Sequence, residues 1–504
     1  MTVTTTDPST GESRDTGIDE TTSAGVAETT SRAAAAYAVL RGTSRAWRAG
    51  LLRALADALE SDRARLTATA AAETGLAATP RLDGEVTRSA FQLRLFAEAL
   101  EEGGYLEAAI DHAAATPAGP GPDVRRMLVP IGPVAVFGAS NFPFAFSVAG
   151  GDTASALAAG NPVVAKAHPS HPLTSRASFE VLDRAALDYG APAGTVGIVY
   201  GQQAGADLVA DPRIAAVGFT GSLSTGQILL DIVAGRDRPI PFYGELSSLN
   251  PLIVSEGAVA ARADAVAAGL FASFTGSAGQ LCTKPGIAFL PRSAAAVVDA
   301  VVALASAATP QTLLSERIHD AFGSIRSRLV DEGRARPLVE PRRGDDGFSL
   351  SPAVLAIDAA DVTAAVTEEA FGPLLVIALY DDISDVSAAL GAVPDSLTAT
   401  VHAEDHEWHD LAPLVDALGQ TVGRVVFNGF PTGVRVSWAQ HHGGPWPATN
   451  TAHTSVGVTA IRRFLRPLAW QDAPEALLPD ELRDGYTGVP RRVDGVLTLA
   501  TLAL

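Results

Sequence analysis

The sequence predicts an α/β protein in which parallel sheets carry helices on both faces. Two observations carry this reading. From Met127 onward, short apolar runs of β-type residues alternate with helical stretches. The alternation comes in two series, one ending near Ala234 and one running from Leu252 to Phe427, so two α/β domains are expected. A chain of 504 residues has ample material for both cores.

The N-terminus, Met1 to Thr30, is rich in Thr, Ser, Glu and Asp and is expected to be disordered. Ala35 to Leu66 reads as helix, with Trp47, Leu51, Leu55 and Leu59 at a spacing of four. A second helix is expected over Glu85 to Leu100, and a loop over the Pro/Gly/Ala-rich Asp111 to Asp123. Then come strands at 134–137, 162–166, 196–200 and 215–220, with helices at 147–159, 175–189, 204–210 and 223–234 between and after them. The second series places strands at 252–254, 286–290, 374–380 and 424–427, and helices at 258–274 and 294–307. The Pro-punctuated tail ends in Val493 to Leu504, a run able to pair as a strand.

Charge and cysteine content exclude several classes. Lys+Arg number 37 and Asp+Glu 56, giving a net charge of −19. Neither nucleic acid nor a membrane surface is an expected partner. The apolar runs predict no transmembrane helix, and the start lacks a secretory signal, so a cytoplasmic protein is expected. A lone cysteine leaves no disulfide framework and no Cys-rich zinc site, and no metal site is assigned.

Five segments carry chemistry. Cys282 sits in Gly279-Gln280-Leu281-Cys282-Thr283-Lys284-Pro285, a tight polar loop. It reads either as a buried structural thiol or as a nucleophile, with Lys284 near enough to favour a thiolate. Glu245, in Gly244-Glu245-Leu246 ahead of Asn250-Pro251, reads as a solvated residue or a general base at a strand end. Phe219-Thr220-Gly221-Ser222, with Gly226, joins a strand to a helix N-terminus, which suits a phosphate. Asn141, in Asn141-Phe142-Pro143, is a turn residue or an oxyanion donor. Glu368-Glu369-Ala370-Phe371-Gly372-Pro373 precedes an apolar strand.

In this order the five segments resemble the NAD(P)-dependent aldehyde dehydrogenase superfamily, over roughly residues 35 to 480. The nearer branch holds α-ketoglutarate-semialdehyde (2,5-dioxovalerate) and NADP-dependent fatty aldehyde dehydrogenases. Its marks here are Lys166-Ala167-His168-Pro169-Ser170-His171-Pro172, Phe91 to Ala97, and His442 to Thr449. The resemblance implies a Rossmann-type cofactor domain (31–111 and 132–246), an α/β catalytic domain (247–455) and a small oligomerisation element (112–131 and 466–504). It assigns Cys282 as nucleophile, Asn141 as oxyanion residue and Glu245 as the base that activates water. Gln280 is a structural neighbour. Lys166 would contact the adenosine ribose, Gly221 and Ser222 the pyrophosphate, and Glu369, with Phe371 beside it, the nicotinamide ribose.

Many NAD-preferring relatives carry a Glu where Pro169 stands; with His168 and His171 nearby, this leaves room for NADP as well as NAD. The implied activity is oxidation of a small-molecule aldehyde to a carboxylate, with α-ketoglutarate semialdehyde as first expectation. A fatty or other aldehyde is the alternative, and a non-catalytic protein with this fold the reading from another class. A charged semialdehyde needs a cation in the pocket, with Arg88, Arg94 and Arg435 as candidates. A homodimer or homotetramer is expected.

Overall fold

A computed structural model describes residues 1–500. Two parallel sheets organise it. The first has five strands in the order Phe242–Glu245, Ala216–Thr220, Val134–Phe137, Val163–Lys166 and Val196–Val199. Val134–Phe137, first of these in the chain, lies at the centre, and the chain later returns to its other side with Ala216–Thr220. The order therefore reverses there, and such a switch point opens a crevice beyond the strands' carboxyl ends. Phe137 pairs with Lys166 and with Phe219, and Thr220 pairs with Glu245, so these strand ends form one edge.

The second sheet has seven strands: Arg336–Val339, Ala353–Asp358, Leu374–Tyr380, Ile287–Pro291, Leu252–Val254, Ser396–His402 and Val422–Phe427. All neighbours run parallel except the Arg336–Val339 edge. Its central strands are almost wholly buried and rich in Val, Ile, Leu and Ala, as a sheet covered on both faces requires. The segments holding Asn250, Cys282 and Glu369 each lead into the amino end of one of these strands. The carboxyl edge of the first sheet thus meets the amino edge of the second.

A third sheet pairs Leu465–Gln471 with Val124–Pro130, then Ala108–Asp111, Arg491–Val493 and Val496–Thr498. The excursion near residue 120 and the tail therefore share one sheet; residues 501–504 of the strand expected over Val493 to Leu504 lie outside the described residues. The expected loop over 111–123 contains a short hairpin, Ala114–Thr116 with Gly119–Gly121.

Several expectations need correction. Residues 1–30 are ordered: Thr2–Thr6 pairs with Ser13–Asp19, and a helix begins at Ser23. The Thr-rich composition that reads as disorder also suits a two-stranded ribbon. The ribbon is tied down because Thr5 Oγ1 donates to Glu73 at 2.8 Å and Ile18 packs on Ala167 and Tyr200. The helix expected over 35–66 is three: Ser23–Leu40, Arg45–Ser61 and Arg63–Thr74. Ser44 caps the second by accepting the Trp47 N–H, which ends the first in a turn. The helix expected over 147–159 starts at Gly151. Glu256–Thr275 is long and apolar, but its Val266, Ala267, Leu270 and Phe274 pack into the core over the second sheet.

Buried Glu73 also accepts the N–H groups of Leu173 and Thr174 and the Thr174 hydroxyl, at the start of helix Pro172–Tyr189. It satisfies donors no intrahelical carbonyl can reach. Glu73→Leu leaves them unpaired, and we expect a stability loss of about 2–4 kcal/mol, measured by urea unfolding.

Candidate active site

The cysteine loop is shaped by close approach. Ser277, Ala278 and Gly279 all have positive φ, at 55°, 56° and 67°. A Cβ on Gly279 would stand 2.3 Å from the Gly372 carbonyl carbon, so only glycine lets this loop touch the Phe371-Gly372-Pro373 segment. Asn250, itself left-handed at φ 57°, donates through Nδ2 to the Cys282 carbonyl (2.8 Å) and the Lys284 carbonyl (2.9 Å). Its Oδ1 accepts from Ser248 Oγ and the Thr398 N–H. The Asn-Pro turn noted in the sequence is therefore the anchor of the Cys282 loop.

Around Cys282 the expected groups come together. Asn141 Nδ2 donates to the Gln280 carbonyl at 2.7 Å, which sets the amide beside the loop. The Cys282 N–H has no partner among the described residues. Glu85, on helix Asp83–Glu102, and Arg81, in the turn just before it, hold the Asn141 loop. Glu85 accepts the Phe144 and Ala145 N–H groups, and Arg81 donates to the Asn141 carbonyl and stacks on Phe142. Gln280 is structural as expected, its Oε1 taking the Leu314 N–H.

His442 is the residue that sequence reasoning missed. It appeared only as part of a motif, with no chemistry attached. Its Nε2 lies 3.0 Å from Glu245 Oε1 and 3.5 Å from Cys282 Sγ. Ser455 Oγ donates to Glu245 Oε2 at 2.8 Å. The doubled histidine was the available signal, since a His in a buried segment beside a nucleophile seldom lacks a partner.

Burial would raise the Glu245 carboxyl, but His442 and the hydrogen bonds from Ser455 and Cys282 offset it and leave it below the usual range. Burial, with Glu245 and Glu369 adding negative field, pushes the Cys282 thiol well up, and the Arg88 guanidinium opposes the shift. Lys284 does not activate the thiol. Its Nζ donates to the Ala370 and Leu374 carbonyls, and burial brings its pKa down to about 8. It pins the segment carrying Glu369.

The two anionic positions are linked. Glu369 Oε2 accepts from Ser247 Oγ (2.6 Å) and the Ser248 N–H (3.0 Å), two and three residues beyond Glu245. Phe371 stands half-buried two residues on.

The sequence offered three cations for a substrate carboxylate, and the structure separates them. Arg94 is bound to Asp57 and Glu60 on the outer face, and Arg435 is exposed. Arg88 stacks on Phe146 and donates through Nη1 to the Val434 carbonyl. Its Nε and Nη2 are buried and find no partner among the described residues.

A family model for the aldehyde dehydrogenase family matches residues 1–445. The chain belongs to this family. It is similar to α-ketoglutaric semialdehyde dehydrogenase of Acinetobacter baylyi, 40% identical over 474 residues, 92% of this chain and 90% of that protein. It is likewise similar to α-ketoglutaric semialdehyde dehydrogenase 2 of Azospirillum brasilense, 41% identical over 478 residues, with the same two coverages. In fold it matches a Thermus 1-pyrroline-5-carboxylate dehydrogenase with bound NAD (TM-score 0.79, 23% identity, 94% of this chain and 90% of that one). A Pseudomonas syringae aldehyde dehydrogenase in complex with NAD+ and octanal matches as well (TM-score 0.79, 22% identity, 93% of each chain). This aldehyde dehydrogenase is thus an NAD(P)-dependent oxidoreductase.

The first sheet's edge fits such a cofactor. Lys166 ends its strand half-buried, and burial alone, with no acid in compensation, lowers its pKa to about 8. An anion is what such a group lacks. Ser222 caps helix Leu223–Ala234, and Arg317 Nη2 reaches its hydroxyl at 3.4 Å. A Cβ on Gly221 would meet the Phe219 ring at 2.7 Å, and one on Gly226 would meet Leu246 at 2.3 Å, so a side chain at either position would displace these neighbours. Pro169 is exposed, and His168 stacks on His171 with ring centroids 5.1 Å apart.

With its pKa raised, Cys282 should react slowly with iodoacetamide near neutral pH and faster as pH rises, followed by mass spectrometry. Arg88→Met removes the opposing cation and should slow the labelling further at every pH.

Proposed function

We propose that this enzyme oxidises α-ketoglutarate semialdehyde to α-ketoglutarate. The single observation that carries the substrate is Arg88, whose two guanidinium nitrogens are buried without a partner and whose charge bears on Cys282. A semialdehyde with a carboxylate at its far end gives them a bidentate partner. An uncharged aldehyde leaves a buried cation unpaired, which costs binding. The two named relatives at about 40% identity support the same reading.

In this reading Glu245, whose carboxylate lies within 4.8 Å of the Cys282 sulfur, takes the thiol proton, and the thiolate attacks the aldehyde carbon. The developing oxyanion receives the Cys282 N–H and the free N–H of Asn141 Nδ2. Bound NAD(P)+ supplies the oxidising equivalent by accepting a hydride. Once Glu245 has passed the thiol proton on to solvent, the Cys282 thioester is hydrolysed by water that gives its proton to the restored carboxylate. For this, Glu245 Oε1 must give up its bond to His442, since both carboxylate oxygens are engaged here. For the cofactor, Lys166 and His168 would hold the adenosine ribose side, Gly221 and Ser222 the pyrophosphate, and Glu369 with Phe371 the nicotinamide ribose. With no acid at Pro169, NADP is accepted alongside NAD.

We further propose a cytoplasmic homo-oligomer. A reducing compartment keeps the one thiol free. Strand Val496–Thr498 ends the third sheet with Val496 65% and Leu497 57% exposed, an edge that a second copy would cover.

Glu245→Gln should give one burst of reduced cofactor without steady turnover; a lost burst with cofactor binding intact would place Glu245 only at thiol activation. Arg88→Met should lower kcat/KM for the semialdehyde by about 1.5–3 kcal/mol more than for octanal, roughly 10- to 150-fold. An unchanged ratio of the two substrates would overturn the assignment. Lys166 is charged below its pKa of about 8 and neutral above it. NADP+ affinity measured by fluorescence should therefore fall as pH rises from about 7 to about 9, and Lys166→Met should flatten this dependence.

A further inference from the structure

We propose that Cys282, His442 and Glu245 form a three-donor site for a borderline-soft divalent cation, Zn2+ above all, whose occupancy blocks the nucleophile. A thiol sulfur, an imidazole nitrogen and a carboxylate oxygen are the donors zinc prefers, and here they lie within 4.8 Å of one another. The inference stands on this geometry and goes beyond the substrate reading above.

The arrangement is that of a convergent site. A linear proton relay through histidine uses both ring nitrogens, one toward each neighbour. In this site the same nitrogen, Nε2, faces both Cys282 Sγ and Glu245 Oε1. The three donor atoms are corners of a triangle, and one lone pair of the imidazole points between the other two. The spacing agrees. With zinc–sulfur and zinc–nitrogen bonds of about 2.3 and 2.05 Å at a tetrahedral angle, sulfur and nitrogen stand about 3.6 Å apart. The observed separation is 3.5 Å. Nitrogen and carboxylate oxygen would stand about 3.4 Å apart by the same construction, against 3.0 Å here, and all three donors lie within 4.8 Å.

The outer contacts also suit a metal. Ser455 holds Glu245 Oε2, so Oε1, which faces His442 Nε2, is the oxygen available to the metal once that contact opens. His442 is fixed by its backbone, whose N–H donates to Thr454 Oγ1 and whose carbonyl accepts from the Ser455 N–H. Binding converts the thiol to thiolate and releases one proton to solvent. Thiolate, carboxylate and a neutral imidazole then balance the dication, so no net charge is buried. Three protein donors leave the fourth position for water or an aldehyde oxygen.

The test uses purified, reduced enzyme without cofactor, titrated with Zn2+ and separately with Co2+. One Zn2+ per chain should bind, activity should fall with it, and a chelator should restore it. Co2+ should give thiolate-to-metal charge-transfer absorption with the d–d bands of a tetrahedral site. His442→Asn and Cys282→Ser should each weaken Zn2+ binding by at least about tenfold. Wild-type enzyme with Cys282 blocked by iodoacetamide should show the same loss without any change of sequence, which separates ligand loss from misfolding. Equal Zn2+ affinity in His442→Asn would reduce the effect to a simple thiol adduct. Unchanged stoichiometry after alkylation, or no charge-transfer band with Co2+, would also overturn the proposal.

Discussion

The active centre depends on one side chain amide. Asn250 Nδ2 bridges the carbonyls of Cys282 and Lys284, and its Oδ1 ties the same turn to strand Ser396–His402. The Cys282 loop has no regular hydrogen bonding of its own and passes through three left-handed residues, a strained path. Such a path persists only when its surroundings over-determine it. Asn250 supplies the donors, Gly279 permits contact with Gly372, and Lys284 donates to the Ala370 and Leu374 carbonyls behind. The result fixes Cys282 at the amino edge of one sheet, facing Glu245 at the carboxyl edge of another.

That junction concentrates charge. Glu245 and Glu369 are about one hairpin apart through Ser247 and Ser248, and both bear on the thiol. Arg88 answers them from helix Asp83–Glu102. Burial raises the carboxyl of Glu369 but leaves that of Glu245 low, because His442 stands against only one of them. Two glutamates of similar burial are thus shifted in opposite directions, the difference coming from His442 together with the hydrogen bonds on Glu245. A thiol held high in this field is inert until a cation or substrate reorganises the site, which protects the only cysteine in the chain.

Much of this was legible in the sequence because the chemistry falls in short contiguous motifs. Gly279 to Cys282, Gly244-Glu245 and Phe219 to Ser222 each carry their own turn geometry, and the βα alternation fixed the class of fold. Residues that act across the chain were not legible. His442 lies 160 residues from Cys282, and its neighbour His441 is the one local mark that sets it apart from a loop histidine. Lys284, two residues from Cys282, suggested the wrong partner, since a lysine turned into the core serves backbone carbonyls instead. The N-terminal ribbon read as disorder because its order comes from Glu73 and Tyr200, not from its own composition.

Arg88 shows how specificity follows from the same principle. A sequence names every arginine near a pocket equally. Only packing tells which have spent their donors. Arg94 has two carboxylates within 2.7 Å and needs no other partner. Arg88 has one backbone carbonyl, an aromatic face and two idle donors. A guanidinium removed from water with donors idle is costly in the empty enzyme, and that cost is relieved only by an anion of matching geometry. Under the proposed reading this favours a carboxylated aldehyde at Arg88. Lys166, brought down to about 8 by burial with no acid beside it, is likewise a buried cation short of its counter-charge.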